Sequence, residues 1–196
     1  MGEIDGLRAR RRAQTERDIE DAALASFGTA GFEGTTMEQI AASAGVSVRT
    51  AFRYFPSKVD TVLFSARQVS SVIGRELWPL VESGATLTEL EDSIARSLTS
   101  LVETDAEIVA RLKQLRSLML GDDRLRGDVF RSEGYSAGMG EPIVASSGMS
   151  LESRLRVELT SATLRAAFDT WAASPDGDDL VTHYRRARVA REKLLR

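Results

Sequence analysis

Apolar residues recur along most of the chain at intervals of three and four positions, a spacing that places them on one face of an α-helix. In the first such segment, from about Gln14 to Ala30, Ile19, Ala23 and Phe27 share a face. Gly31 follows at the position where a left-handed residue commonly ends a helix. No run of alternating β-branched residues indicates a strand, so the pattern predicts an all-α fold.

Two short helices are predicted next, and each has its own start signal. Thr36, followed three positions later by Gln39, has the spacing of a capping box. Gly45 ends this helix, and Ser47 can cap a third helix from Val48 to Phe55. Two short helices separated by such a tight turn have the dimensions of a DNA-binding helix-turn-helix.

Proline and glycine positions divide the rest of the chain. Ser57 can cap a fourth helix that begins at Lys58 and ends near Pro79. Further helices are predicted at about 87–102, 105–120, 123–131 and 151–173, and a last one after a turn at 174–178. The glycine- and serine-rich stretch 133–150 predicts a mobile loop. The prediction is therefore about nine helices.

The composition narrows the class of protein. Hydrophobic residues make up 42% of the 196 residues, yet no run approaches the ~20 apolar residues that span a membrane. The chain has no cysteine, which excludes disulfides and thiolate metal sites and is compatible with a reducing compartment. The first residues are polar and arginine-rich rather than signal-like, so we expect a cytoplasmic protein.

The net charge of −3 hides an uneven distribution. The first 58 residues contain eight basic and eight acidic residues, and four of the arginines lie between Arg8 and Arg12. Residues 1–13 are therefore interpreted as a flexible basic arm. Such an arm either reaches the phosphates or the minor groove of DNA or is a solvated tail, and the sequence leaves both interpretations open.

A longer set of positions around the predicted turn has the fixed spacing Thr36-x-x-x-Ile40-Ala41-x-x-Ala44-Gly45-Val46-Ser47-x-x-Thr50-x-Phe52-x-Tyr54-Phe55-x-Ser57-Lys58. This segment closely resembles the signature of TetR/AcrR-type transcriptional regulators. The preceding segment is similar to the first helix of that family over Ile19-x-x-Ala22-Ala23-x-x-x-Phe27-x-x-x-Gly31-Phe32. The resemblance implies a three-helix DNA-binding head at 14–58 and a helical ligand-binding and dimerisation bundle at 59–196.

The resemblance also implies DNA contacts for matching residues of the head. The implied DNA-binding residues are Thr36, Ser47, Val48, Arg49, Thr50, Arg53, Tyr54 and Lys58. Thr36, Tyr54 and Lys58 would bind phosphates, which fixes the register of the protein on DNA. The side chains of the third helix would face the major groove, where an arginine can discriminate guanine by about 1–3 kcal/mol.

These residues also have ordinary structural interpretations. Arg49 and Arg53 can be solvated helix charges, and Thr36 and Ser47 are caps whether or not they touch DNA. Phe52 lacks the hydroxyl of the tyrosine that the family often has at this position. We therefore expect Phe52 to pack rather than to bind a phosphate.

The helix at 151–173 has two apolar stripes on opposite faces, so both faces must be covered. One stripe contains Val157, Leu164, Phe168 and Trp171, and the other is built from leucines and alanines. Because alanines permit close helix approach, we assign the second stripe, together with the last helix, to a homodimer interface. The predicted interface residues are Leu155, Leu159, Ala162, Ala166, Leu180, Tyr184, Ala187 and Leu194. The alternative is that both stripes are intramolecular.

In the resembling family a ligand occupies a cavity among the middle helices. The candidate lining residues are Phe64, Trp78, Leu101, Leu115, Met119, Phe130, Phe168 and Trp171. This set favours a small apolar or aromatic ligand of unknown identity. Each residue can equally be plain core.

No pattern in the sequence indicates catalysis, a metal site or a cofactor. His183 is the single histidine, so it cannot form a histidine cluster, and the glycines of 134–148 lack the lysine of a phosphate-binding loop. We therefore expect a dimeric repressor, not an enzyme, that a small molecule releases from a palindromic operator. The alternatives are a helical interaction module without DNA binding and a small helical enzyme that uses carboxylates.

Overall fold

The computed structural model describes residues 2–133, 149–175 and 177–195, and this part of the chain contains ten α-helices and no strand. The helices are α1 (Gly2–Ala30), α2 (Met37–Ser43), α3 (Val48–Tyr54), α4 (Lys58–Val62), α5 (Phe64–Glu82), α6 (Leu87–Thr104), α7 (Ala106–Gly121), α8 (Asp123–Glu133), α9 (Leu151–Ala173) and α10 (Leu180–Leu194). The all-α prediction is confirmed. The predicted loop at 133–150 lies almost entirely outside the described residues.

The first helix begins much earlier than the sequence pattern predicted. α1 extends back to Gly2, so where it is described the stretch predicted as a flexible arm at residues 1–13 is helical. Its alanines, arginines and leucine are good helix formers, and no proline interrupts them. Arg12 also donates from Nε to Oε1 of Glu16 at 3.1 Å, one turn further on.

The helix predicted from Lys58 to Pro79 is divided differently in the structure. It breaks at Leu63 into α4 and α5, and Pro79 lies inside α5, which continues to Glu82. Val81 in this last turn is buried. Packing of that side chain offsets the backbone hydrogen bond that Pro79 cannot donate.

Two clusters of buried apolar residues hold the chain together. The first, which we call the head core, comprises Ile19, Ala23, Leu24, Phe27, Phe32, Met37, Ile40, Ala41, Ala51, Phe55, Val59, Val62, Leu63, Leu115, Met119, Leu125 and Val129. The second, the bundle core, comprises Val69, Ile73, Leu77, Val81, Leu90, Ile94, Leu98, Leu112, Val157, Leu164, Ala167, Phe168, Trp171, Leu180, Val181 and Tyr184.

The head core does not end where the helix-turn-helix ends. Leu115 and Met119 of α7, and Leu125 and Val129 of α8, are part of it. α7 therefore packs against α1, and α8 packs against α4, so both helices contribute to the core of the head. None of the helices in the described ranges is long and apolar enough to cross a membrane.

Candidate nucleic-acid interface

The turn between α2 and α3 has the geometry that the sequence predicted. Gly45 has a φ of +67°, in the left-handed region that glycine adopts without a steric penalty. The next N–H group, that of Val46, donates to the carbonyl of Ala41 at 3.0 Å. The Val46 side chain packs against the head core. This turn lets α3 begin only a few residues after α2 ends.

Local hydrogen bonds fix the starts of both short helices. Thr36 Oγ1 accepts from the Gln39 N–H at 3.3 Å, and the Thr36 N–H donates to Gln39 Oε1 at 2.8 Å, which confirms the predicted capping box. Ser47 Oγ accepts from the Thr50 N–H at 3.1 Å and lies 2.8 Å from the Thr50 hydroxyl. The predicted Ser47 cap is also confirmed, and α3 starts at a well-defined residue.

α3 presents a mixed apolar and basic face to solvent. Ala51, which is fully buried in the head core, holds the inner side of this helix. On the outer side, Arg49 and Arg53 are exposed, and Val48 and Phe52 are 37% and 46% exposed. The expectation that Phe52 only packs is therefore wrong. It lies one turn after Val48, on the same outward face, and Ala51 takes the buried position instead.

Tyr54 joins the end of α3 to the N-terminal arginines. Its half-buried ring packs against the head core. The guanidinium carbon of Arg53 lies 5.1 Å from the ring centroid, and that of Arg12 lies 5.6 Å away. Both distances are within cation–π range. The extended α1 thus carries Arg12 to the edge of α3, a juxtaposition that the sequence pattern did not reveal.

Lys58 does not fit the phosphate-binding role that the resemblance implied. Its Nζ donates to the carbonyl oxygens of Phe32 and Thr35, at 2.5 and 3.2 Å. The same ammonium lies 4.0 Å from the centroid of the Phe32 ring. The half-buried Lys58 side chain therefore holds the connection between α1 and α2 in place, because it satisfies carbonyls that belong to no helix.

A buried hydrogen-bonded contact between Glu20 and Ser65 connects α1 to α5. Glu20 is 1% exposed, and its carboxylate accepts from the Ser65 N–H at 2.9 Å and from the Ser65 hydroxyl at 2.6 Å. Burial raises the pKa of Glu20 to about 7, against the opposing effect of these hydrogen bonds. A single glutamate on an amphipathic helix is usually a solvated charge, so the sequence contained no signal for this contact between Glu20 and Ser65.

The predicted ligand-lining residues separate into several groups. Leu115, Met119 and Phe168 lie together around a narrow cavity between α5, α7, α8 and α9. Phe130, in contrast, is 41% exposed, because Val129 beside it takes the buried face of α8. Its assignment to the cavity is therefore wrong.

The other predicted lining residues lie outside this cavity. Phe64 packs on Phe55 in the head, with 6.1 Å between the ring centroids, and borders only a surface depression. Trp78 and Leu101 pack at the edge of the bundle core. Trp171 is buried beside Phe168, with 6.2 Å between the ring centroids.

The predicted dimer residues also divide into two sets. Leu155, Ala162 and Ala166 are exposed, as expected for a face that awaits a partner. Leu180 and Tyr184 are fully buried in the chain's own bundle core, so their assignment to the dimer interface is wrong. They occupy the side of α10 that faces α6 and α9, opposite the side that the helix presents outward.

An open apolar groove of about 560 Å³ runs between α9 and α10. Its lining includes five predicted interface residues, Leu159, Ala162, Ala166, Ala187 and the 85% exposed Leu194. His183 also lines the groove. It is 7% exposed, and its Nε2 has no hydrogen-bond partner among the residues that the structure describes. Over the same residues, no group of three metal-ligating side chains occurs.

The fold and this surface define the class: an all-α protein whose N-terminal helix-turn-helix is mounted on a larger helical bundle. Residues 19–63 match the family model of bacterial regulatory proteins, tetR family. Over these residues the chain is similar to the TetR family.

Named regulators show the same similarity. The chain is 34% identical over 127 residues to the HTH-type transcriptional regulator RutR of Escherichia coli (strain K12), a match that covers 63% of this chain and 59% of RutR. It is 28% identical over 130 residues to the HTH-type transcriptional repressor KstR of Rhodococcus jostii (strain RHA1), covering 66% of this chain and 58% of KstR. The chain thus matches less than two thirds of the length of these relatives.

Solved structures share the fold over nearly the whole chain. A TetR-family protein from Mesorhizobium loti MAFF303099 superposes with a TM-score of 0.54 at 22% identity, covering 94% of this chain and 96% of that protein. The TetR-family repressor FadR of Thermus thermophilus, solved in complex with lauroyl-CoA, superposes with a TM-score of 0.50 at 22% identity. That match covers 90% of this chain and 93% of FadR.

Proposed function

We propose that the chain is a homodimeric transcriptional repressor that binds a palindromic operator through α3 and leaves it when a small molecule binds. The observation that carries this proposal is the outer face of α3. Two exposed arginines and two exposed apolar side chains stand there on a helix that is capped at its start and anchored by buried Ala51. A helix of this kind fits the major groove.

The residues of the head fall into two proposed roles. Arg49 and Arg53 carry the guanidinium groups that can bind guanine, and Val48 and Phe52 can contact thymine methyl groups. Thr36, Ser47 and Tyr54 would place hydroxyls against phosphates and set the register. Thr50 lies at the start of α3, where its hydroxyl is shared with Ser47 and can serve either role.

The groove between α9 and α10 supports a dimer. Its exposed Ala162 and Ala166 allow a helix of a second copy to approach closely. Nε2 of buried His183, which has no partner within the described part of the chain, lies at the same surface, where a second copy can supply one. Two chains paired through this face present two recognition helices related by a two-fold axis, the arrangement that reads a palindrome.

The packing between head and bundle supports control by a ligand. Because α7 and α8 contribute to the head core, a molecule that displaces them changes the position of the head. In a dimer this alters the distance between the two recognition helices and lowers operator affinity. DNA binding of this kind would take place in the cytoplasm, where operators lie.

The first experiment is selection of bound duplexes from a random pool, followed by titration of the selected sequence at several salt concentrations. We expect a single palindrome, and an affinity that falls steeply as salt rises because cations on α3 and α1 displace counterions from phosphates. Light scattering on the same sample should give twice the mass of one chain. Folded protein that selects no sequence would contradict the proposal and favour an interaction module without DNA binding.

A further inference from the structure

The narrow cavity between α5, α7, α8 and α9 combines an apolar wall with one cation. Eight of its ten lining residues are apolar, among them Val69, Leu115, Met119 and Phe168. The two polar residues in the wall are Ser70 and Arg116. A guanidinium in such surroundings requires an explanation, because burial of a charge is costly unless a counter-ion or several hydrogen bonds compensate it.

Arg116 has only weak partners within the described part of the chain. Its side chain is 13% exposed, and its nearest carboxylate oxygen, Oδ1 of Asp169, lies 3.5 Å from Nη1. Asp169 is itself 49% exposed, so water weakens the attraction. The guanidinium carbon also lies 5.0 Å from the centroid of the Phe168 ring. Burial lowers the pKa of Arg116, which is the direction expected for a cation whose partners do not offset its desolvation.

Arg111 on the same helix has the bidentate carboxylate partner that Arg116 lacks among the described residues. It donates to both carboxylate oxygens of Asp21, at 2.6 and 2.9 Å, and further carboxylates on Glu20 and Glu107 lie within 4 Å. Arg116 has no such bidentate partner in the described ranges. Ser70, on α5, is buried and also lines the cavity.

We propose that this cavity binds a small carboxylic acid with an apolar or aromatic body, and that Arg116 holds the carboxylate. The planar guanidinium matches a carboxylate through two parallel hydrogen bonds, and such charge-assisted pairs are short and strong. The body of the acid then lies against the leucine, valine, methionine and phenylalanine side chains. The Ser70 hydroxyl provides a further donor for the acid. This inference rests on the proposed function and names the chemical class of its ligand.

The size of the cavity explains how such an acid acts on the head. The cavity measures about 30 Å³, room for a group the size of one water molecule, so a ligand must push its walls apart. Leu63, Met119 and Val129 on one side belong to the head core, whereas Val69 and Phe168 on the other belong to the bundle core. Enlargement therefore separates the two cores at Leu63, the residue where α4 meets α5.

Calorimetric titration of the full chain with benzoate, phenylacetate and hexanoate, each compared with its neutral amide, tests this inference. We expect the affinity for each acid to be at least about tenfold higher than the affinity for its amide. Arg116→Gln should remove this preference, and Arg116→Lys should reduce it, because an ammonium keeps the charge but loses the bidentate geometry. Arg154→Gln, at an exposed position of α9, is the matched control and should behave like wild type.

Three outcomes overturn the inference: no acid of the panel binds wild type at millimolar concentration, acids and amides bind alike, or Arg116→Gln keeps the preference. If Arg116→Gln does not fold, judged by circular dichroism, the wild-type comparison and Arg116→Lys still decide. Operator binding is measured separately without any acid. A chain that binds its operator but no acid refutes only the ligand class, whereas a folded chain that selects no operator refutes the proposed function.

Discussion

Arg111 on α7 and Asp21 on α1 form a bidentate ion pair, with Nε–Oδ1 and Nη2–Oδ2 distances of 2.6 and 2.9 Å. The two residues are 90 positions apart in the sequence. The pair ties the first helix of the head to the helix that carries Arg116, five positions further along α7. If a ligand acts through the cavity as proposed, this pair connects the helix that lines the cavity to the head.

We expect Asp21→Asn to loosen this connection. Loss of one charged partner should lower the free energy of unfolding by about 1 kcal/mol, a modest value because Asp21 is half-exposed. Urea unfolding measures the change. Asp18→Asn, an exposed carboxylate on the same helix whose bond is to Gln14, is the control and should stay close to wild type. Equal effects of the two substitutions would contradict a specific role for the pair.

Burial of Glu20 predicts a stability that depends on pH. Its pKa is raised from 4.5 to about 7 in the folded chain, so the folded state favours the protonated carboxyl. The associated stability is fully present below pH 4.5 and is lost as the pH rises through about 7, by a few kcal/mol at most. Glu20→Gln removes the charge; the amide oxygen can still accept from the Ser65 N–H, and the amide nitrogen can donate to the Ser65 hydroxyl.

Urea unfolding between pH 4.5 and 8 compares wild type with Glu20→Gln. We expect the variant to become progressively more stable than wild type as the pH rises. Glu158→Gln, a partly buried glutamate on α9, should follow the wild-type profile. Parallel profiles for wild type and Glu20→Gln would show that the Glu20 carboxyl does not titrate in this range.

Arg49 and Tyr54 should affect operator binding in different ways. Arg49→Ala removes a base contact, so we expect it to relax the preference at one base pair of each half-site, by about 1–3 kcal/mol. Tyr54→Phe keeps the ring that Arg12 and Arg53 approach but removes the hydroxyl, and it should weaken all duplexes to a similar extent. Binding to operators with single base-pair changes separates the two patterns. A uniform loss with Arg49→Ala would place that residue on the backbone.

Lys58→Met distinguishes an internal role from a phosphate contact. Because the ammonium donates to the carbonyls of Phe32 and Thr35, the substitution should lower the free energy of unfolding by about 1–3 kcal/mol. The salt dependence of operator binding should remain unchanged. A decrease of about 0.9 in the slope of log K against log salt would instead mean that Lys58 neutralises a phosphate.

The groove between α9 and α10 gives a direct test of the dimer. Ala166→Arg puts a long cation into the apolar lining, and we expect it to halve the mass measured by light scattering. Ala110→Arg, at an exposed position on α7 outside the groove, is the matched control and should leave the mass unchanged. A dimer that survives Ala166→Arg would place the interface elsewhere on the surface.

Local features of this chain could be predicted from the sequence because the groups involved are neighbours along it. The hydrogen bonds of Thr36 with Gln39 and of Ser47 with Thr50 span three positions, and the turn at Gly45 depends on one residue's φ. The bounds of α9 were also predictable, since Ser150 caps its start. Such features depend on residue type and short spacing, which a linear pattern records.

The tertiary structure decided which of the predicted surfaces meet. Lys58 bonds to carbonyls 23 and 26 positions away, and Glu20 bonds to Ser65 across 45 positions. The spacing of apolar residues in the last helix predicted that Tyr184 lies on the dimer face, but Tyr184 lies in the bundle core. Periodicity identifies an apolar face but not its partner, because the partner depends on how distant helices pack. The helix-turn-helix could therefore be predicted from the sequence, whereas the weakly paired cation of Arg116 at the cavity could be identified only from the packing of four helices.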